Sequence, residues 1–100
     1  MICERGKDME KRPSDQLIPE LFETILKLRT QEDCAAFFAD LCTDKELENM
    51  ASRLAAARLL MEGKTYLQVI ETVDISSATL SRVSRCVQHG NGYVRMIGRN

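Results

Sequence analysis

The sequence predicts an all-α fold, a helical bundle carrying one helix-turn-helix. Three observations point there. Helix formers (Leu, Ala, Glu, Lys, Arg, Met) dominate the 100 residues. No segment sustains period-two alternation, the mark of a half-buried strand. Apolar residues instead recur at spacings of three and four, which places them on one side of a helix. The length fits one domain. That domain is expected over residues 16–100, behind a polar tail at 1–15.

The elements follow in order. Residues 1–15 are charged and unpatterned, and Pro13 marks the end of that stretch. A first helix starts near Ser14 or Asp15 and carries Leu17, Leu21, Ile25 and Leu28, with Phe22 and Leu26 widening the stripe. Thr30 can cap the second helix and Asp33 reinforces its first turn. That helix carries Cys34, Phe37, Phe38, Leu41 and Cys42. Thr43-Asp44-Lys45-Glu46 is a capping-box pattern, and it opens the longest helix, which runs to about Glu62 and stops at Gly63. Leu47, Met50, Leu54, Ala57 and Met61 share one face of it. Ala51, Ala55, Leu59 and Leu60 make its other faces apolar too. Burial between two chains accounts for so apolar a helix in a domain with few residues to wrap it.

The helix-turn-helix is expected at about 65–88. In its first helix, Val69, Ile70 and Val73 form the inward face, and Ile75 plugs the turn. Asp74 stands where such turns need a residue tolerant of the left-handed region. Ser76 or Ser77 caps the second helix. Ala78, Leu80 and Val83 are apolar there, but they cannot all face inward. Ser77, Thr79, Ser81, Arg82 and Arg85 remain, short hydrogen-bonders and guanidinium groups suited to base edges and phosphates. Gln68, on the first helix, can bond a phosphate, whereas Glu71 beside it is unfavourable there unless paired. His89-Gly90-Asn91-Gly92 breaks the chain, and Tyr93 to Ile97 form a last short helix whose Val94, Met96 and Ile97 suit a partner subunit.

Net charge is −1, yet its distribution is uneven. Residues 1–52 hold 7 basic and 12 acidic side chains, whereas residues 53–100 hold 7 basic and 3 acidic. No acidic residue follows Asp74, while Arg82, Arg85, Arg95 and Arg99 do. An acidic body with a basic end suits a protein that presents one face to phosphates. Cys3, Cys34, Cys42 and Cys86 have no C-x-x-C spacing and the only histidine is His89, which argues against a metal site. Residues 1–16 lack the apolar segment of a secretory signal and no run of 18 apolar residues exists. A cytoplasmic protein with reduced thiols and no membrane span is expected. No cofactor is expected either.

An enzyme is disfavoured, because His89 has no acid or nucleophile beside it and no phosphate loop is present. Its place at a helix C-terminus suits the helix dipole. The competing reading is a protein-interaction module, with the acidic first half meeting another regulator or the transcription machinery. RNA comes third, since five aromatic residues are few for stacking on single strands.

Two segments carry a family resemblance, LCTDKELENMASRLAAARLLMEGKTY from Leu41 and ISSATLSRVSRC from Ile75. Arg53, Gly63 and the A-T-L-S-R run occur in the expected order. From about Leu17 to Ile97 the chain resembles the Trp repressor superfamily, most closely its YerC/YecD-type branch. The resemblance implies an intertwined homodimer, each subunit presenting its helix-turn-helix to successive major grooves roughly 34 Å apart. It implies a transcriptional repressor bound to double-stranded DNA at a pseudo-palindromic operator. Ala78, Thr79 and Ser81 match positions that face DNA, with Ser77 and Arg85 beside them.

The resemblance also implies an effector site. Arg53 and Arg82 match the two arginines that flank a bound indole in the Trp repressor. Val83 stands where that protein has Gly, and Cys86 where it has a Ser near the ligand's amino group. A branched side chain and a weak hydrogen-bonder weigh against L-tryptophan and leave another small effector, or none. Arg53 paired with Glu46 or Asp44, and Arg82 on a phosphate, are the competing roles for these arginines.

Overall fold

The computed structural model describes residues 13–98, so Cys3, Arg99 and all of the expected tail before Pro13 lie outside it. Six α-helices occupy the described residues: α1 (Ser14–Ile25), α2 (Gln31–Leu41), α3 (Asp44–Met61), α4 (Tyr66–Thr72), α5 (Ser77–His89) and α6 (Gly92–Ile97). The helices fall into two compact units, up to Phe38 and from Ala39 onward.

The first unit holds α1 and most of α2. Pro13 precedes α1 in an extended conformation with no side-chain cap. Pro19 lies inside that helix, where it cannot donate a hydrogen bond to the carbonyl one turn earlier. No residue of α1 or α2 is fully buried. Leu17, Phe22 and Leu26 of the expected stripe are exposed, Leu26 at 83%, as is Ile18 beside them. Thr30 behaves as the sequence predicts: its Oγ1 accepts from the Asp33 amide at 3.0 Å. The Asp33 carboxylate in turn accepts from the Arg29 amide at 3.1 Å.

The second unit holds a core. Ala56, Ala57, Val69, Leu80 and Val83 are fully buried, and Leu59, Leu60, Ile75, Val87 and Tyr93 are among those packed against them. α3 packs most extensively on α5, and also on α4 and α6. Ala56 and Ala57 explain the first contact, because small side chains let two helix backbones approach closely. Both ends of α3 are finished locally. Thr43 and Glu46 form a capping box, with the Thr43 amide donating to Glu46 Oε1 at 2.8 Å and the Glu46 amide to Thr43 Oγ1 at 3.1 Å. At the other end Gly63 adopts φ 95°, a region costly for any residue with a Cβ. The Lys64 amide reaches back to the Leu59 carbonyl and the Gly63 amide to that of Leu60, which satisfies two orphan carbonyls.

Two expectations about packing change. Ile70 does not join Val69 and Val73 on the inward face; it is 42% exposed, because it lies about 100° around the helix from Val69. Leu47 and Leu54 of the α3 face are each 40% exposed, while Ala57 on the same face is buried. That stripe therefore serves the core only at its C-terminal part.

Candidate nucleic-acid interface

The helix-turn-helix is α4, the turn 73–76 and α5. Thr65 and Gln68 build a second capping box: the Thr65 amide donates to Gln68 Oε1 at 2.8 Å, and the Gln68 amide to Thr65 Oγ1 at 3.2 Å. T-x-x-Q is a sequence signature of that motif, so Gln68 has a capping role beside the phosphate contact expected of it. The cap engages its carbonyl oxygen and leaves its NH2 free to donate. α4 ends at Val73, whose extended backbone starts the turn. Ile75 is half-buried against the core, as a plug should be.

Of the two serines that could cap α5, Ser76 does so. Its Oγ accepts from the Thr79 amide at 3.1 Å and donates to Thr79 Oγ1 at 3.0 Å. Ser77 thus becomes the first helical residue and is exposed.

The helical period then sorts the remaining residues of α5. Leu80 and Val83 point into the core at 0% and 1% exposure, with Val87 behind them. Ser84 is buried beside them, its Oγ accepting from Gln88 Nε2 at 3.2 Å. Ala78, Arg82 and Arg85 lie at i, i+4 and i+7 on the opposite, exposed side, and Ser77 joins them. Thr79 and Ser81 are half-buried at its flanks. Neither Arg82 nor Arg85 forms an ion pair among the described residues. Two uncompensated guanidinium groups thus share an exposed face with hydroxyls and a methyl, a set able to bond phosphates, base edges and thymine methyls.

Of the residues expected around an effector, Arg53 stands on α3 and Arg82, Val83 and Cys86 stand on α5. Val83 is a core residue, Arg82 is exposed on the outer face of α5, and Cys86 is half-buried. Arg53 is half-buried on α3 and has no ion pair among the described residues, with Glu46, Asp44 or any other carboxylate. It lines a cleft of about 260 Å³ between α3 and the turn that precedes α5, together with Lys45, Asn49, Asp74, Ser76 and Thr79. Arg82, Val83 and Cys86 are absent from that lining. No sequence motif marks Lys45 or Asn49 as cleft residues, because the cleft joins segments about thirty residues apart.

Among the described residues, no group of His, Cys, Asp or Glu is placed to hold a metal ion. No described helix is long and apolar enough to cross a membrane.

The comparisons with known proteins agree with the all-helical fold. The family profile described as Trp repressor protein matches residues 16–99. An uncharacterized protein of Bacillus subtilis strain 168, YerC, is 41% identical over 92 residues, covering 92% of this chain and 80% of its own. A crystal structure described as a TrpR-like protein from Eubacterium eligens ATCC 27750 superposes with a TM-score of 0.79 at 38% identity, covering 84% of this chain and 88% of that one. A candidate Trp repressor from Staphylococcus aureus gives the same TM-score at 34% identity, over 93% and 90% of the two chains. That family suggests a helix-turn-helix regulator. An all-helical chain with this motif, matched by the profile over most of its length, belongs to the Trp repressor family, as a YerC-type Trp-repressor-like protein.

Proposed function

We propose that the chain is a sequence-specific DNA-binding transcriptional regulator, a repressor that acts as a homodimer through α5 in the major groove. The observation that carries this reading is the division of α5: Leu80 and Val83 are locked into the core while Ser77, Ala78, Arg82 and Arg85 stand outside, unpaired. A helix so anchored presents its polar side rigidly, which is what base readout requires. Homodimerisation is supported by Leu17, Phe22, Leu47 and Leu54, large apolar side chains that the single chain leaves exposed.

A second reading has its own observation. Tyr66, Leu67 and Ile70 of α4 are 45%, 65% and 42% exposed, an apolar patch suited to a protein partner. Selection of sheared genomic DNA on the purified protein, with and without mixed amino acids, separates the two. Recovery of a palindromic site supports the dimeric regulator, and dependence on the mixture identifies an effector. Recovery of nothing above background favours the protein-interaction module.

A further inference from the structure

We propose that the cleft between α3 and the α5 turn holds a backbone phosphate of bound DNA, with Lys45 as its principal cation, so that the interface extends beyond the helix-turn-helix onto α3. The inference rests on the DNA-binding reading and adds a contact to it. Lys45, Asn49 and Arg53 occur at i, i+4 and i+8, so they form one stripe along α3. The stripe borders the turn at Asp74 and Ser76 and the first turn of α5 at Thr79. Neither cation has an ion-pair partner among the described residues. Lys45 is the only basic residue between Arg29 and Arg53, in the acidic half of the chain, and it stands at this cleft. Its neighbours Asp44, Glu46 and Glu48 are not among the cleft residues.

The ligand chemistry follows from these groups. Lys45 and Arg53 supply two positive charges, and Asn49 and Thr79 supply hydrogen-bond donors, a set that matches an oxyanion. The volume of about 260 Å³ lies just below the roughly 300–1,000 Å³ of small-molecule pockets, and Lys45 and Asn49 at its edge are exposed. An open cleft of this size suits one group of a large ligand better than an enclosed small molecule. Asp74 is the single opposing charge, and it should weaken binding where it stands.

The test uses the full chain and a labelled duplex of random sequence, because phosphate contacts do not depend on sequence. Binding is followed by fluorescence anisotropy across a salt series for the native chain, Lys45→Ala, Lys45→Arg, Asp74→Asn and Arg82→Ala. Lys45 is exposed and its side chain takes no part in the Thr43–Glu46 capping box, so its replacement leaves that cap in place. Lys45→Ala should weaken binding and lower the slope of log affinity against log salt by about 0.9 per subunit. In other terms, a fourfold rise in salt should cost the variant about three- to fourfold less affinity per subunit than it costs the native chain. Lys45→Arg should keep the native slope, and Asp74→Asn should bind more tightly. A native slope in Lys45→Ala, alongside a reduced one in Arg82→Ala, would overturn the proposal while leaving the DNA reading in place. Absence of salt-dependent binding by the native chain would overturn both. Titration with inorganic phosphate alone distinguishes a free anion: a response that needs Lys45, with DNA affinity unaffected by its loss, rejects the DNA assignment.

Discussion

Arg82 bears most of the functional argument at the scale of single residues. It is exposed, unpaired, and held by a helix whose other side is immobilised through Leu80 and Val83. Replacing it with Ala should weaken DNA binding about equally across sequences and reduce the salt slope by about 1 per subunit, as loss of one phosphate contact does. Retention of both affinity and slope in that variant would remove Arg82 from the interface. Val83 shows how a residue's meaning depends on its direction. In the sequence it reads as an obstruction beside an indole site. In the fold its side chain belongs to the core at 1% exposure, so its branching serves packing. Arg53 teaches the complementary lesson. Glu46 and Asp44 are near it in sequence, yet neither pairs with it, because charge proximity along the chain does not fix side-chain direction.

At the scale of elements, most of the fold is legible because the signals are local. Thr43 with Glu46, Gly63, Thr30 with Asp33, and Ser76 each act within one turn of the helix they start or stop. Such pairs are set by nearest neighbours and survive in the sequence as motifs. The cap at Thr65 is of the same kind, and α4 is short enough to depend on it. Thr65→Ala should cost about 1 kcal/mol, read from urea unfolding. It should also raise amide exchange in α4 more than in α5; an unchanged midpoint would show that core packing of Val69 alone holds the helix. What the sequence conceals is the apposition of separate elements. Ile70 looks like part of an apolar face until Val69 and Val73 define which side of α4 meets α3. The cleft at Lys45 and Asn49 needs α3 and the turn at Asp74 to lie side by side, and no spacing rule carries that information. The exposed side of α5 was legible only because a buried face, once known, defines its opposite.

At the scale of the whole molecule, the apolar residues left outside matter most. Leu54 is 40% exposed in the single chain although it lies on the longest of the described helices. The proposed homodimer would cover Leu54, so Leu54→Asp should leave only monomers by light scattering and lower helicity, because that assembly would bury a charge without a partner. A stable, fully helical monomer carrying this change would rule out an intertwined assembly and point to two independently folded subunits.

The condition of α1 adds something further. Its 12 residues have no side-chain cap, a proline at Pro19 and no buried side chain. Helices of that length are marginal in water unless an apolar face is covered. A helix in this condition gains its stability by mass action when a partner covers it, so the melting temperature should climb as protein is added. Supply then becomes a signal in its own right. Under the proposed function, scarce chains would be partly unwound and meet DNA singly, whereas abundant chains would be whole and meet it in pairs. Occupancy would follow roughly the square of chain number, giving a switch set by how much of the protein a cell makes.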